Sequence, residues 1–125
     1  MNQNYDEDNI FFKILRGIIP CDKVLESEHT LAFRDINPRA KVHVLVIPKK
    51  NYINLDDFIS HAESIEKIDI FDCISKVVKK EKIMHDGYRV LTNIGEDGHQ
   101  EVQHLHFHIL GGQPLVGFIK KLIIA

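Results

Sequence analysis

The 125 residues of this chain and its formal net charge of −2 describe a small, nearly neutral protein. One domain over 1–125 is expected, with short tails at 1–9 and 116–125, and without a polybasic stretch we expect neither a nucleic-acid nor a membrane partner. The two distant cysteines form no CxxC unit and the start lacks a signal-peptide pattern, which excludes a paired-cysteine zinc site and indicates a cytoplasmic protein.

The first half of the chain predicts a short helix, a hairpin and a central strand. Apolar residues at 11–15 before Gly17 are typical of a short helix. Two strand-like runs, 23–26 and 30–34, flank a polar turn and predict a hairpin. The run VHVLVIP at 42–48 is almost continuously apolar and rich in β-branched residues, as in a strand buried on both faces.

The second half predicts helical structure followed by two more strands. Between about 55 and 82, apolar residues recur at three- and four-residue steps, which predicts one long helix, or that helix broken once. Its predicted core stripe consists of Phe58, Ala62, Ile65, Ile68, Phe71, Ile74 and Val78. Strands are expected at 88–91 and 104–110, on either side of a Gly-rich polar loop. The pattern as a whole indicates an α+β fold, a five-stranded mainly antiparallel sheet with one long and one short helix. The apolar run FIKKLIIA at 118–125 is expected to pack on the body of the protein or on a partner subunit.

Three histidines at alternate positions are the main chemical feature of the sequence. His104, His106 and His108 would leave the same face of an extended strand, about 7 Å apart, whereas a helix would scatter them. The apolar Leu105 and Phe107 between them suit a buried opposite face. One strand face is therefore expected to be core and the other to carry the chemistry.

A histidine cluster of this kind permits several interpretations. The simplest is a half-exposed strand with polar residues facing water, although three imidazoles in register are unusual for that role. Metal binding is the second, because imidazole is a common zinc ligand. One strand cannot easily close three ligands around one ion, but two of them with His43 of the central strand could do so. The third is nucleophilic attack on phosphorus by a neutral imidazole.

The loop before the histidines suits a phosphate ligand. Gly95 and Gly98 let backbone N–H groups approach an anion, and Asn93 and Gln100 offer amide donors without adding charge.

These residues resemble a known family. The run HLHFHILGG resembles the histidine-triad signature, in which histidines alternate with apolar residues. FFKILRGIIP, LAFRDINP, HVLVIPKK, GYRVLTNIGEDG and QEVQHLHFHILGGQPL resemble, in this order, blocks of the Hint branch of the histidine triad (HIT) superfamily in its bacterial form, from about residue 10 to 115. The resemblance implies the HIT-like fold and a homodimer that joins sheets side by side. It also implies binding of a purine nucleotide (an AMP or GMP moiety), with no cofactor and no metal.

The resemblance also implies roles for individual residues. His106 matches the nucleophile that attacks the α-phosphorus, and His108 matches the histidine that contacts the phosphate oxygens. His104 and His43 match supporting imidazoles behind the nucleophile. Asp35 matches the carboxylate that accepts the ribose hydroxyls. Positions near the phosphate are Asn93, Gln100, Glu101 and Val102, and the apolar pocket around the base is Ile10, Phe11, Ile14, Phe33 and Ile36.

Some of these residues carry simpler interpretations or depart from the family pattern. Phe11 and Phe33 would suit a hydrophobic core, and Asp35 would suit an Asx turn. Glu101 stands where many Hint relatives carry a Ser or Thr hydroxyl, and His99 stands where glycine is usual. Both departures bear on leaving-group assistance and on substrate range.

The function implied is that of a hydrolase. The resemblance implies cleavage of purine nucleoside phosphoramidates, of the AMP-amine or AMP-lysine type, or of aminoacyl-adenylates through a covalent nucleotidyl-histidine. Two alternatives stay open from the sequence: a nucleotide-binding interaction or regulatory protein whose hydrolysis is incidental, and a zinc-dependent hydrolase that uses the histidine cluster.

Overall fold

The chain folds around one antiparallel sheet, as seen in a computed structural model that describes residues 4–116. The five strands are β1 (Lys23–Glu26), β2 (Thr30–Arg34), β3 (Val42–Pro48), β4 (Tyr88–Leu91) and β5 (Phe107–Gly111), in the order β1-β2-β3-β5-β4. The three helices are α1 (Ile10–Leu15), α2 (Leu55–His61) and α3 (Ser64–Lys80). The predicted α+β class is confirmed. The apolar run at 118–125 lies outside the described residues.

The last strand begins later than the alternating pattern predicts. Residues 104–106 were expected in the strand, but β5 starts at Phe107. The backbone groups just before β5 make hydrogen bonds outside the sheet ladder. The Leu105 N–H donates to the Tyr52 carbonyl (2.8 Å), and the His104 carbonyl accepts from the His106 ring (2.8 Å). Only His108 of the three histidines therefore belongs to the regular ladder, where it pairs with Leu45 of β3.

The helical segment after β3 is broken once. Ala62 is extended, with φ −73° and ψ 149°, and a capping box between Glu63 and Glu66 starts α3. The Glu66 side chain points inward, since it accepts from the Tyr52 hydroxyl (2.6 Å) and from the Glu63 N–H (2.8 Å). That contact lies on the same side of α3 as the apolar residues that face the core.

The core-facing side of α3 differs from the predicted stripe. Ile70, Cys73 and Val77 face the core with the inward Glu66. The prediction that Ile65, Ile68 and Phe71 are buried was wrong, because the new start of α3 turns them outward, where each is more than half exposed.

Two hydrophobic cores lie on opposite faces of the sheet. The larger packs α3 against the face that carries Val44 and Val46. The smaller packs Phe11 of α1 against Leu45 and Ile47 on the other face. Because side chains alternate along a strand, His43 shares the α1 face with Leu45 and Ile47. Within residues 4–116, no helix combines the length and the apolar character needed to cross a membrane.

Candidate active site

The first histidine of the triad is fully buried and both of its ring nitrogens are bonded. His104 Nε2 lies 2.9 Å from the Pro48 carbonyl, which can only accept, so Nε2 carries the proton. Nδ1 lies 2.5 Å from the Tyr5 hydroxyl. Burial lowers the pKa of His104 to about 4, so the ring is neutral and Nδ1 accepts from Tyr5. This imidazole therefore has no nitrogen left for a ligand.

The second histidine presents an unprotonated nitrogen. His106 Nδ1 lies 2.8 Å from the backbone carbonyl of His104, and the carbonyl can only accept, so Nδ1 carries the proton. Burial lowers the pKa of His106, although the hydrogen bond to the His104 carbonyl opposes this, so the ring is neutral near pH 7. The lone pair of a neutral imidazole with Nδ1–H is on Nε2, which is the requirement for a nitrogen nucleophile.

The third histidine is oriented by His43 on the neighbouring strand. The Arg39 N–H donates to His43 Nδ1 (3.1 Å), so the proton of the neutral His43 ring is on Nε2. That nitrogen lies 2.9 Å from His108 Nδ1, to which it donates. Burial, with His106 and His43 nearby, lowers the pKa of His108 to about 4. Neutral His108 then carries its proton on Nε2 and can donate it to an anion.

Aromatic rings hold the histidines in one group. The His106 and His108 ring centroids are 5.0 Å apart. Phe11 of α1 meets the His106 ring edge-on at 4.9 Å and the Phe33 ring at 5.6 Å. Phe11 and Phe33 are both buried in the smaller core, so the interpretation of these two as core residues is correct. That position does not conflict with their expected place beside the base.

Asp35 lies beside this group and also makes an Asx turn. Its Oδ1 accepts from the Asn37 N–H at 2.8 Å. Its Oδ2 lies 3.4 Å from His43 Nε2. The other predicted pocket residues differ in exposure: Ile10 and Ile36 are open to solvent, Ile36 to 87%, while Ile14 packs on the smaller core.

The loop before the triad is held together by Gln100. The Gln100 amide donates to the carbonyls of Ile53 (2.7 Å) and Val102 (3.0 Å), and its oxygen accepts from the Gly95 N–H (3.1 Å). Both amide hydrogens are thus used within the protein. The expected donation from this side chain to phosphate does not fit the arrangement, and Gln100 instead shapes the loop.

The rest of the loop leaves backbone and charged groups at the surface. A Cβ at Gly98 would lie 2.3 Å from the Ile94 carbonyl, so only glycine fits there. His99 has φ 59°, a conformation that favours glycine, and its Nε2 lies 3.2 Å from exposed Glu101. Asn93 is half-buried. Val102 packs on the smaller core.

Among the described residues, one group of possible metal ligands consists of Asp35, His43 and His108. Their ligand atoms lie within 4.8 Å of one another. A metal ion there would need the Nε2 lone pair of His43, but that nitrogen carries the proton because Nδ1 accepts from Arg39. The donor set therefore does not fit a resident zinc ion.

Two contributors to the site were not found from the sequence. Tyr5 lies in a polar, acidic stretch with no periodic pattern, and Arg39 acts through its backbone N–H, which every non-proline residue has. Neither leaves a local signal, because each contact joins segments that are separate in the sequence or uses a group common to all residues.

Comparison with known proteins points to one family. The sequence model of the HIT domain matches residues 16–115. The chain is 49% identical to an uncharacterized HIT-like protein of Azospirillum brasilense, over 97% of this chain and 99% of that one. It is 39% identical to the purine nucleoside phosphoramidase of Escherichia coli K12, over 87% and 91%. A HIT family hydrolase from Clostridium thermocellum has a similar structure, with a TM-score of 0.78, 37% identity and coverage of 88% and 95%.

Proposed function

The chain belongs to the HIT domain family, among proteins of the hydrolase type, and we propose that it is a nucleotide-binding hydrolase that cleaves purine nucleoside phosphoramidates or aminoacyl-adenylates. The single observation that carries the proposal is the contact of 2.8 Å between His106 Nδ1 and the His104 carbonyl, from which the proton position of His106 follows. A neutral imidazole with Nδ1–H bonded to a carbonyl has its lone pair on Nε2, as attack on phosphorus requires.

In the proposed reaction, His106 Nε2 attacks the α-phosphorus. A bond from nitrogen to phosphorus forms, the bond from phosphorus to the leaving amine or carboxylate breaks, and a leaving amine takes up a proton from water. The His106 ring then carries a positive charge, which the His104 carbonyl stabilises through the Nδ1–H bond of 2.8 Å. Water next breaks the nitrogen–phosphorus bond, releasing the nucleoside monophosphate and the free imidazole.

His108 and His43 would stabilise the phosphate charge in this mechanism. The Nε2–H of His108 can donate to a phosphate oxygen while His43 Nε2–H holds Nδ1 of the same ring at 2.9 Å. The Arg39 N–H donates to Nδ1 of His43, so each group donates to the next, from Arg39 through His43 to His108 and then to the phosphate. His104 would support the nucleophile through its backbone carbonyl, since both of its ring nitrogens are already bonded.

We place the nucleoside between α1 and the end of β2. Asp35 would accept the ribose hydroxyls, because a carboxylate has two oxygens with two lone pairs each, and its two contacts leave acceptor capacity. The base would lie against the apolar residues Ile10, Phe11, Ile14, Phe33 and Ile36. The phosphate would meet Asn93 and the backbone beside Val102, with Glu101 at its edge. The N–H groups of Gly95, His99 and Gln100 already donate within the loop, so they shape it and do not serve as phosphate donors.

We also propose a homodimer in the cytoplasm. β4 is an edge strand with Tyr88 42% and Val90 39% exposed, and Phe71 of α3 contacts Phe107 of β5, the neighbour of β4. The exposed helix face and the edge strand thus adjoin and offer one apolar surface for a second copy. The cysteines are free, as suits a reducing compartment. Sedimentation of a 14.4 kDa species at micromolar concentration would refute the dimer.

A turnover assay with an AMP amide, with and without a strong chelator, tests the function. We expect turnover that the chelator leaves unchanged and that His106→Ala removes. The matched control is His85→Ala, because the His85 side chain is 99% exposed and lies outside the site. Nucleotide binding without turnover would favour an interaction protein, and chelator-sensitive turnover would favour a metal enzyme. Either result would overturn the proposal.

A further inference from the structure

The N-terminal segment reaches the buried histidine of the triad through Tyr5. The Tyr5 hydroxyl lies 2.5 Å from His104 Nδ1, and the two residues are 99 positions apart. The Tyr5 ring also packs edge-on against the His104 ring, with centroids 5.6 Å apart, and contacts Phe12 of α1 at 6.0 Å. A residue before the first helix is therefore part of the environment of the triad.

Tyr5 supplies the hydrogen bond to Nδ1 of the His104 ring. His104 is fully buried, so an unpartnered Nδ1 would cost free energy. Its other nitrogen already donates to Pro48 at the end of β3. Burial raises the pKa of the Tyr5 phenol, so the hydroxyl keeps its proton and acts as the donor.

The His104 backbone links the fixed His104 ring to His106, the proposed nucleophile. The carbonyl of the same residue accepts from His106 Nδ1 at 2.8 Å. If the ring of His104 turned to find another partner for Nδ1, it would strain the peptide between His104 and Leu105, which the Leu105 N–H bond to the Tyr52 carbonyl anchors on its other side. The bond that keeps the His106 proton on Nδ1 would lengthen.

We propose that Tyr5 is a positioning residue for the nucleophile, which acts through His104 to keep His106 in the tautomer with a free Nε2. The inference rests on the proposed function for its kinetic part alone. The hydrogen-bond and ring contacts of Tyr5 described above are with His104 and Phe12, neither of which is assigned to base, ribose or phosphate, so we expect Tyr5 to affect the chemical step and to leave substrate binding unchanged.

The test compares Tyr5→Phe with a matched loss of another tyrosine hydroxyl. Tyr52→Phe is the control, because the Tyr52 hydroxyl makes a similarly short buried bond (2.6 Å) to Glu66 on the α3 face of the sheet, and the substitution keeps the Tyr52 backbone carbonyl that accepts from the Leu105 N–H. We expect Tyr5→Phe to lower kcat about 3- to 10-fold with KM within twofold, since one hydrogen bond is lost. Tyr52→Phe lowers the thermal midpoint but leaves kcat within twofold.

Histidine ring spectra give a readout that does not depend on turnover. Long-range ¹H–¹⁵N correlation shows which ring nitrogen of each histidine carries the proton. In the wild type we expect His106 protonated at Nδ1, and in Tyr5→Phe a measurable share protonated at Nε2, with no such change in Tyr52→Phe.

The outcomes separate this inference from the proposed function. A wild type that turns over no phosphoramidate refutes the proposed function, while the ring spectra still decide the role of Tyr5. Unchanged His106 signals in Tyr5→Phe, or an equal loss of kcat in both variants, would refute the positioning role.

Discussion

Acidification should destabilise this protein through His104. The unfolded chain has an ordinary histidine pKa near 6.5, whereas burial lowers the pKa of folded His104 to about 4. Between these values the unfolded state binds more protons than the folded state, so stability is complete above about pH 6.5 and falls as the pH drops toward 4. At about 1.4 kcal/mol per pH unit, His104 alone accounts for a loss of about 3 kcal/mol between pH 7.5 and pH 4.

His108 acts in the same direction. Its folded pKa is also lowered to about 4, but its side chain is partly exposed, so solvent reduces its share. The loss for the wild type should therefore exceed the value for His104 alone.

Urea unfolding followed by circular dichroism at several pH values measures this effect. The protein concentration must be constant, because the stability of the proposed dimer would depend on it. His104→Gln removes the titrating ring: it should be less stable at pH 7.5, since Tyr5 and Pro48 lose a partner, yet lose about 3 kcal/mol less on acidification. His85→Gln is the control and should follow the wild type. Equal pH dependence in His104→Gln and the wild type would refute the assignment of a buried neutral His104.

Three further predictions concern the reaction. His106→Ala should lower kcat by several orders of magnitude with nearly unchanged AMP affinity, because no other described nitrogen is placed to replace it; more than about a tenth of wild-type kcat would contradict a covalent role. The acid limb of kcat/KM should lie below the ordinary histidine value of 6.5, since burial lowers the pKa of His106 and the attacking ring must be neutral; a limb at or above 6.5 in a pH–rate profile would count against it. Wild type should prefer ribo- over 2′-deoxy-phosphoramidates by roughly 5- to 150-fold in kcat/KM, and Asp35→Ala should remove most of that preference; equal values in the wild type would leave Asp35 with its Asx turn alone.

The sequence by itself determined the sheet, the class of fold and the histidines that line the site. Strands and helices follow from the spacing of apolar residues, and that spacing is local, so all five strands were predictable from short windows. The spacing of apolar residues failed to predict which face of α3 is buried, because more than one face has a helical pattern. Ile65, Ile68 and Phe71 have helical spacing, but so do Ile70, Ile74 and Val77. Packing against the sheet, together with the contact of Glu66 with Tyr52, buries the second set and leaves the first exposed.

Only the tertiary structure decided the protonation of each histidine. The alternating pattern shows that the three belong together, but a ring with two nitrogens takes its tautomer from its partners. Those partners are the Tyr5 hydroxyl, the Pro48 carbonyl and the Arg39 N–H, each distant in sequence from the triad or provided by the backbone. Hydrogen bonds between remote segments form only when the chain has folded. The bond of His106 Nδ1 to the nearby His104 carbonyl likewise depends on the backbone conformation just before β5, so the tautomer of His106 could be assigned from the structure and not from the spacing.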